Sequence, residues 1–313
     1  MPNLGMLLLA IAQALLLLAL APLMTGVSRM IRARMHSRRG PGVLQDYRDI
    51  AKLLRRQDVA PAASGFVFRA TPSVNLGCML LLAMALPIFT HLSPVGVLAD
   101  LITFAYVLGL ARFFFSLCGV DSGSSFAGIG AARELTMGAL VEPTMILSLV
   151  VVALVVGSTN LGTIASALAG GSYFVSPVAL VTAMFAFAFA VFIEMGKLPF
   201  DMAEAEQELQ EGPLTEYSGP SLGIFKLGLA LKKVVLAQFL LGVLLPFGNL
   251  GTLAGAAWIV SLVALLVKLL LVFVLAGLVE NSMARGRFVL TSRVTWVGFA
   301  FAVLAFVFYL TGF

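Results

Sequence analysis

The stretch from Leu4 to Val27, LGMLLLAIAQALLLLALAPLMTGV, contains no charged side chain. About 20 consecutive apolar residues in a helix are enough to cross the hydrocarbon core of a bilayer. A secretory signal peptide would begin with basic residues and carry a shorter apolar run, whereas residues 1–28 include no Lys or Arg. We therefore predict that this stretch is a membrane-spanning helix that the protein retains.

Similar apolar blocks recur along the chain, which is 60% hydrophobic and only 11% charged over 313 residues. A soluble domain of this length could not bury so much apolar surface. The sequence predicts an all-α polytopic membrane protein with eight transmembrane helices, forming a single membrane domain over residues 1–313. The predicted spans are residues 4–27, 72–91, 98–118, 135–157, 174–193, 224–247, 254–279 and 293–312.

The basic residues predict the orientation of these spans. The first loop, residues 28–71, holds ten Arg and Lys residues, and the third, fifth and seventh loops hold Arg133, Lys197, Lys226, Arg285, Arg287 and Arg293. The even-numbered loops and both termini hold none. Because cytoplasmic loops carry an excess of Lys and Arg, we predict that the odd-numbered loops are cytoplasmic and that both termini lie on the other side.

The best candidates for metal ligands are two cysteines and two histidines, Cys78, Cys118, His36 and His91. No two of them stand at the spacing of a metal-binding motif. We therefore expect no metal, haem, iron–sulfur cluster or other cofactor in this chain. The net charge of +5 is explained by the loop pattern, so it does not indicate nucleic-acid binding.

Several ionisable residues lie inside the predicted spans. Arg112, Lys232 and Lys233 are near the cytoplasmic ends, where long side chains can reach the interface by snorkelling. Lys268 is near the middle of the seventh span, where a charge costs at least about 2.5 kcal/mol, and Glu142 is its acidic counterpart in the fourth. Lys268 and Glu142 either belong to a polar path or are buried polar groups satisfied by a neighbouring helix.

The first loop contains the sequence RRGPGVLQDYRDIAKLLRRQ at residues 38–57. After a turn at Gly40–Gly42, apolar residues recur at helical spacing from Val43 to Leu54. This pattern predicts a short amphipathic helix that lies along the membrane surface. The alternative interpretation is a topology signal that also contacts lipid headgroups.

The fifth loop, placed at residues 194–223, is strongly acidic. Seven of the fifteen carboxylates of the chain fall between Glu194 and Tyr217. Where water is limited, such crowding raises the pKa of some carboxyl groups, and groups of that kind can load and release protons. The alternative is a solvated acidic surface that pairs with the basic first loop.

Part of this acid density follows from helix capping. Asp201 with Glu204 three residues later resembles a capping box, and we expect a helix that begins at Asp201. On that helix Asp201, Glu204 and Glu208 would share one face, with Glu206 on another. Glu194 would sit at the preceding membrane boundary.

Both loops resemble one superfamily, the H subunits of respiratory complex I and their relatives in membrane-bound hydrogenases. The resemblance covers almost the whole chain and rests on RRGPGVLQ at residues 38–45 and on EMGKLPFDMAEAEQELQEGPLTEYSG at residues 194–219. The first loop lacks the longer insertion usual in complex I. Residues 130–143, 192–200 and 280–285 are similar to the formate hydrogenlyase and hydrogenase-4 branch, and Glu142 keeps the acid of the complex I motif without its polar neighbours.

The resemblance implies a bacterial inner-membrane subunit that performs no bond chemistry. It would anchor a cytoplasmic arm containing iron–sulfur subunits and a [NiFe]-hydrogenase large subunit, would lie beside antiporter-like membrane subunits and lipid, and would couple hydrogen evolution to proton or sodium movement. The [NiFe] centre and the iron–sulfur clusters would belong to the partners. The positions expected in a charge path are Glu142, Glu194, Asp201, Glu204, Glu206, Glu208 and, as an extension suggested by its place in the seventh span, Lys268. The positions expected at the interface with the soluble arm are Arg38, Asp46 and Asp49.

Three alternatives remain open at this point. The quinone-site subunit of complex I would bind quinone, and a passive membrane anchor would tolerate neutralisation of Glu142 or Glu204. An independent solute carrier is disfavoured because the sequence shows neither an inverted repeat nor a pair of broken helices.

Overall fold

The computed structural model describes residues 4–171, 173, 175–251, 257–284 and 288–312, except for the side chains of residues 206, 207, 257, 288–290 and 292. The described residues form eleven α-helices. Their bounds are α1 Leu4–Met35, α2 Gln45–Leu53, α3 Phe66–Ala85, α4 Leu101–Asp121, α5 Ser125–Val156, α6 Leu161–Ala169, α7 Pro177–Glu194, α8 Glu206–Leu209, α9 Gly219–Phe239, α10 Ala257–Ser282 and α11 Phe288–Thr311. A 3₁₀ turn at Gly212–Glu216 precedes α9, and a π-helical turn at Leu240–Leu244 follows it.

Eight helices of the described chain are long and apolar enough to cross a membrane, which confirms the predicted number of spans. They are α1, α3, α4, α5, α7, α9 with its π-helical turn, α10 and α11. Two helices extend beyond their predicted spans, since α1 continues to Met35 and α5 begins at Ser125. In α3, which was expected at residues 72–91, both ends are shifted by six residues and the helix ends at Ala85. Leu86 is extended, with a ψ angle of 141°, because it precedes Pro87 and a residue before proline disfavours the helical conformation.

The helix expected to begin at Asp201 is not formed. Residues 202–204 make turns, and the helical segment α8 is limited to the four residues Glu206–Leu209. Ala205, Gln210 and Glu211 have positive φ angles of 21°, 50° and 72°, which an α-helix does not allow. The expected common face of Asp201, Glu204 and Glu208 is therefore wrong.

Close packing of the loop backbone explains why the capping pattern does not decide its structure. A Cβ atom on Gly212 would lie 2.1 Å from the carbonyl oxygen of Ala203, and one on Gly130 of α5 would lie 2.8 Å from the same oxygen. These glycines let the loop fold tightly onto α5. Tertiary contacts of this kind commonly outweigh local helix propensity.

Contacts between loops place the first, third and fifth connections on one side of the bundle, here called the odd-loop side. The amide of Val59 in the first loop donates a hydrogen bond of 2.7 Å to the Ser218 hydroxyl in the fifth. The carboxylate of Asp121, at the end of α4, accepts hydrogen bonds of 3.0 and 2.8 Å from the amides of Gly65 and Phe68. Asp121 thus caps the start of α3 from a neighbouring helix.

The even-numbered connections meet in the same way on the other side, here called the even-loop side. The amide of His91 donates to the carbonyl of Leu250 at 2.9 Å, which joins the second and sixth loops. The amide of Leu101 donates to the carbonyl of Thr159 at 3.0 Å, which joins the second and fourth. The assignment of the odd-loop side to the cytoplasm stays a prediction from the charge pattern.

The core of the bundle surrounds α9. Phe239 at its end is fully buried, and its ring centroid lies 4.4 Å from that of Phe104 on α4 and 5.0 Å from that of Phe187 on α7. Such tilted aromatic pairs add to the stability gained from burial. The central position of α9 brings its lysines among the other helices.

The amphipathic helix predicted after Gly42 is present as α2, and it packs against α1 and α9. Gly26 of α1 allows this contact, since a Cβ atom there would lie 2.0 Å from the carbonyl oxygen of Val43. On α9, a Cβ atom on Gly223 would lie 3.3 Å from the Cβ of Leu53. Two glycines thus permit α2 to lie close to the bundle.

Candidate charge-relay site

Arg112 of α4 is the centre of a buried group of charges. Its side chain is only 5% exposed, and its guanidinium makes very short contacts with the carboxylates of Glu142 on α5 and Glu194 on α7. A third carboxylate, that of Glu134, lies 3.6 Å from its Nε atom. The expectation that Arg112 snorkels to the interface is therefore wrong, because inward carboxylates offer partners for the charge.

Lys232 of α9 completes this group, which we call the Arg112 network (Arg112, Lys232, Glu134, Glu142 and Glu194). Its Nζ atom lies 3.2 Å from Glu194 and 3.8 Å from Glu134. Like Arg112, it pairs inward, contrary to the expected snorkelling. With all five groups ionised, three carboxylates face two cations, so the network carries one excess negative charge.

A glycine makes room for the guanidinium between α4 and α5. A Cβ atom on Gly138 would lie 2.5 Å from Nη1 of Arg112 and 2.7 Å from its Cδ atom. Because the guanidinium is fixed by carboxylates on two helices, it has little freedom to move aside. Mutual pairing is what allows such charges to stay buried, since desolvation of an unpaired charge costs several kcal/mol.

A cavity of about 60 Å³ adjoins the network. Its walls include Arg112, Glu134, Glu194 and Lys232, together with Asp201, Glu204 and Lys233. A polar cavity of this size has room for water. The loop acids Asp201 and Glu204 therefore meet the network at a shared cavity, although they do not share a helix face.

A second cavity of about 480 Å³ lies between α1, α2, α9 and the fifth loop. It shares Asp201, Glu204 and Lys233 with the smaller cavity. Its other charged walls include Arg32 of α1, Lys197 of the fifth loop and Glu280 of α10. Charged side chains thus line two adjoining cavities between the Arg112 network and the contacts of α1 with α10.

Glu280 holds three segments together at the far wall of the larger cavity. Its side chain is 2% exposed and makes a very short contact with Arg32 and a 2.9 Å contact with Nζ of Lys197. Burial lowers the pKa of Lys197 from its ordinary value of 10.5, and the positive charge of Lys233 lowers it further, while Glu280 acts in the opposite direction. Lys197 is buried, and among the described residues its one carboxylate contact is with Glu280.

Apart from Lys268, the predicted relay residues whose side chains the structure describes occupy three different settings. Glu142 and Glu194 belong to the Arg112 network, and Asp201 and Glu204 line both cavities. Glu208 forms a 2.6 Å salt bridge with Arg133 near the surface. The side chain of Glu206 lies outside the described residues.

Lys268 is remote from this network. Its Nζ atom contacts the carbonyl oxygens of Leu241 and Leu245 and the side-chain oxygen of Asn249, at 3.3, 3.3 and 3.4 Å. Leu241 is nine residues beyond Lys232, which is about 14 Å along a helix. The structure therefore places Lys268 toward the even-loop side, apart from the other candidates.

Two of the predicted interface residues, Asp46 and Asp49, lie in α2, and the third, Arg38, precedes it. Asp46 contacts Arg29 and the hydroxyl of Thr25 on α1, while Asp49 accepts a 2.8 Å hydrogen bond from Gln45. The contacts of Asp46 hold α2 against α1, whereas the bond between Gln45 and Asp49 lies within α2. Arg38, in the turn before α2, is exposed to solvent.

Sequence reasoning missed Glu134, Glu280 and the inward pairing of Lys232. The available signal was the cost of placing Arg112 and Lys232 in apolar helices, which demands carboxylate partners. Glu134 is the nearest unassigned acid in the chain before Glu142. Helix packing determines which carboxylate pairs with each cation, and a single sequence does not show that packing.

Comparisons with known proteins show the family of this chain. A family model described as NADH dehydrogenase matches residues 7–311. The chain belongs to this family. It is 59% identical over 303 residues to hydrogenase-4 component C of Escherichia coli strain K12, covering 97% of this chain and 96% of the relative. It is 54% identical over 295 residues to formate hydrogenlyase subunit 4 of the same strain, covering 94% and 96%.

More distant relatives include the respiratory enzymes. The chain is 31% identical over 251 residues to the H subunit of the NADH-quinone oxidoreductase of Wolinella succinogenes, covering 75% of this chain and 76% of the relative. The fold matches a chain of the membrane-bound sulfane sulfur reductase, an archaeal respiratory membrane complex, with a TM-score of 0.82 and 23% identity over 96% of this chain and 100% of that chain. The predicted family and its predicted hydrogenase branch are both confirmed.

Proposed function

We propose that this protein is the membrane-anchoring and ion-coupling subunit of a membrane-bound [NiFe]-hydrogenase complex of the formate hydrogenlyase or hydrogenase-4 type. The high identity to subunits of those two names supports the kind of complex. The chain itself carries out no bond chemistry. Its task is to link electron transfer in a soluble arm to the movement of protons or sodium ions.

The observation that carries the coupling role is the excess negative charge of the Arg112 network beside a polar cavity. One proton added to the network neutralises that excess, and removal of the proton restores it. Glu134 suits this role because its contacts with Arg112 and Lys232, at 3.6 and 3.8 Å, are the longest in the network. Glu142 is the second candidate, since its side chain is 39% exposed.

The two cavities supply a route to this proton-accepting site. A proton or cation that enters the larger cavity meets Asp201 and Glu204, which also face the smaller cavity and the network. Lys233 lies on the wall that the two cavities share. Its positive charge repels a cation that passes from the larger cavity to the smaller one. Alternating charges of this kind let a change at one end alter proton affinity at the other.

The partners follow from the predicted orientation. The odd-loop side would face the cytoplasm, where exposed Arg38 and the neighbouring helix α2 would meet the iron–sulfur and [NiFe] subunits of the soluble arm. Antiporter-like subunits would lie beside the bundle in the bacterial inner membrane. The [NiFe] centre and the iron–sulfur clusters belong to those partners in this proposal.

The test uses Glu142→Gln and Glu204→Gln in the native complex, with Glu216→Gln as the matched control. Glu216 is also an acid of the fifth loop, but it lines neither of the two cavities. Hydrogen evolution and ion movement are measured together in inverted membrane vesicles. We expect assembled complexes in which both relay variants lower ion movement at least about tenfold, as for loss of a proton-transfer group, while the control does not.

Assembly with undiminished ion movement in both relay variants would support a passive anchor instead. The quinone alternative has its own basis, because the 31% identical relative belongs to a quinone oxidoreductase and the larger cavity is within the size range of ligand sites. The purified complex is therefore assayed for nickel, flavin and quinone. Nickel without flavin or quinone agrees with the proposal, and flavin with quinone but without nickel contradicts it.

A further inference from the structure

The end of α9 leaves a backbone carbonyl group without its helical donor. In the π-helical turn Leu240–Leu244, the amide of Leu245 donates to the carbonyl of Leu240, five residues earlier, at 3.1 Å. It is therefore not the donor for Leu241, as it would be in an α-helix. In a π-helix the donor for Leu241 would be residue 246, which is proline and has no N–H group.

A second carbonyl group is left in the same way. The α-helical donor for Leu245 would be the amide of Asn249, which donates to the carbonyl of Pro246 instead, at 3.1 Å. The helix therefore ends with two carbonyl oxygens that require donors from elsewhere. Buried carbonyl groups are nearly always satisfied in native structures.

Lys268 of α10 meets this requirement. Its ammonium group has three donors, and it contacts three oxygens, the carbonyls of Leu241 and Leu245 and the side-chain oxygen of Asn249, at 3.3, 3.3 and 3.4 Å. The carboxyl end of a helix also carries a partial negative charge. The positive charge of Lys268 is thus held by backbone and amide dipoles, since all three of these oxygens belong to neutral groups.

The groups around the ammonium are neutral. Burial lowers the pKa of His91, and the charge of Lys268 lowers it further, so the imidazole does not add a second positive charge at neutral pH. The hydroxyl of Tyr173 donates to the carbonyl of Leu244, and the side-chain amide of Asn249 donates to that of Gly242 at 3.4 Å. The site is thus a set of oxygen dipoles around one positive charge.

We propose that the interrupted end of α9 is a binding site for a monovalent cation and that the ammonium group of Lys268 occupies it as a tethered cation. Unwound backbone carbonyls at a half-helix end coordinate sodium ions in membrane transporters, and rings of carbonyls replace the hydration shell of potassium ions in channels. The oxygens of Leu241, Leu245 and Asn249 offer the same chemistry. When the ammonium is removed, a sodium or potassium ion takes its place.

The first test removes the charge with Lys268→Met in the purified native complex. Binding of ²²Na⁺ and of ⁸⁶Rb⁺, a potassium analogue, is measured by equilibrium dialysis against choline chloride. We expect one more bound ion per chain than in the wild-type complex and none more in Lys268→Met with Asn249→Ala. Lys226→Met, which removes a lysine from the odd-loop side, is the matched control and should add no ion.

At about 100 mM salt, a site with a Kd of about 1 mM is almost completely filled, because the ion is then present at about 100 times Kd. An assembled Lys268→Met complex that binds no additional ion under these conditions would overturn the proposal. Equal gain of an ion in Lys226→Met would do the same. These outcomes are independent of ion movement by the Arg112 network, so they do not depend on the proposed function.

A second measurement keeps the lysine and so avoids a variant that fails to assemble. Asn249→Ala removes one of the three oxygens, and the amine of Lys268 should then react several-fold faster with a membrane-permeant acylating reagent, as read by mass spectrometry. The reaction of Lys226 in the same sample is the internal control. A rate at Lys268 within twofold of the wild-type rate would show that these oxygens do not hold the ammonium.

Discussion

Replacement of Arg112 by methionine should strongly destabilise the membrane domain. Methionine fills similar space but leaves Glu134, Glu142 and Glu194 with Lys232 alone, so the excess negative charge of the network rises from one to two. Removal of one partner from a buried ion pair costs about 3–5 kcal/mol, and Arg112 is 5% exposed with two carboxylates in very close contact. We expect a loss of about 4 kcal/mol, which is roughly a thousandfold in the folding equilibrium.

A double variant separates charge imbalance from lost packing. Glu194→Gln in the Arg112→Met background returns the network to two carboxylates and one lysine, which is again one excess negative charge. Because neutral replacement of a whole buried pair is often tolerated, the double variant should recover at least about 2 kcal/mol of the loss. The free energy of unfolding is measured by titration with SDS in mixed micelles for the wild type, both single variants and the double variant.

The matched control is the pair Lys226–Glu211, which has a 3.2 Å contact and whose side chains are both 40% exposed. Lys226→Met should cost no more than about 1 kcal/mol, as is usual for exposed ion pairs. If the costs of Arg112→Met and Glu194→Gln simply add in the double variant, the carboxylate and the guanidinium are not coupled. That result would refute the description of the Arg112 network as a mutually compensating set.

Two further variants test the contacts that join α1 to its neighbours. Gly26→Ala should displace α2, because the new Cβ atom would lie 2.0 Å from the carbonyl oxygen of Val43; faster proteolysis of the first loop measures this, and an unchanged cleavage rate would contradict it. Glu280→Gln removes the carboxylate that opposes the lowered pKa of Lys197. Without that carboxylate, folded Lys197 releases its proton at a pH at which the unfolded chain still holds it. The free energy of unfolding should therefore rise more steeply with pH, up to about 10.5, than in the wild type. Parallel curves of SDS unfolding against pH for the two proteins would contradict this.

Hydropathy was sufficient to predict the number of spans because each helix must be apolar over the thickness of a bilayer. It could not define where helices end within the loops. The end of α3 depends on Pro87, and the structure of the fifth loop depends on backbone contact between Ala203 and Gly212. The capping pattern at Asp201 was a correct local signal that tertiary packing outweighed.

Part of the candidate site could be predicted from the cost of placing charged groups in apolar helices. Glu142 and Glu194 could be selected because acids in or near apolar spans are costly and need a partner. The partner itself, Arg112, was assigned to the interface because a sequence does not show which way a side chain near a helix end points. Glu134 and Glu280 were not predicted as site residues. Each pairs with cations that lie on other segments, namely α4 and α9 for Glu134 and the fifth loop for Glu280.

The two charged sites of the bundle share one helix. α9 presents Lys232 to the Arg112 network and, about 14 Å further along, ends in the turn whose carbonyls contact Lys268. A rigid shift of α9 along its axis would alter both the 3.2 Å contact between Lys232 and Glu194 and the 3.3 Å contact between Leu241 and Lys268. Because packed helices move as units between discrete arrangements, protonation of the network and occupancy of the interrupted end of α9 can influence each other. Linkage makes such coupling reciprocal: the factor by which protonation of the network changes cation affinity at the end of α9 equals the factor by which the bound cation changes the proton affinity of the network.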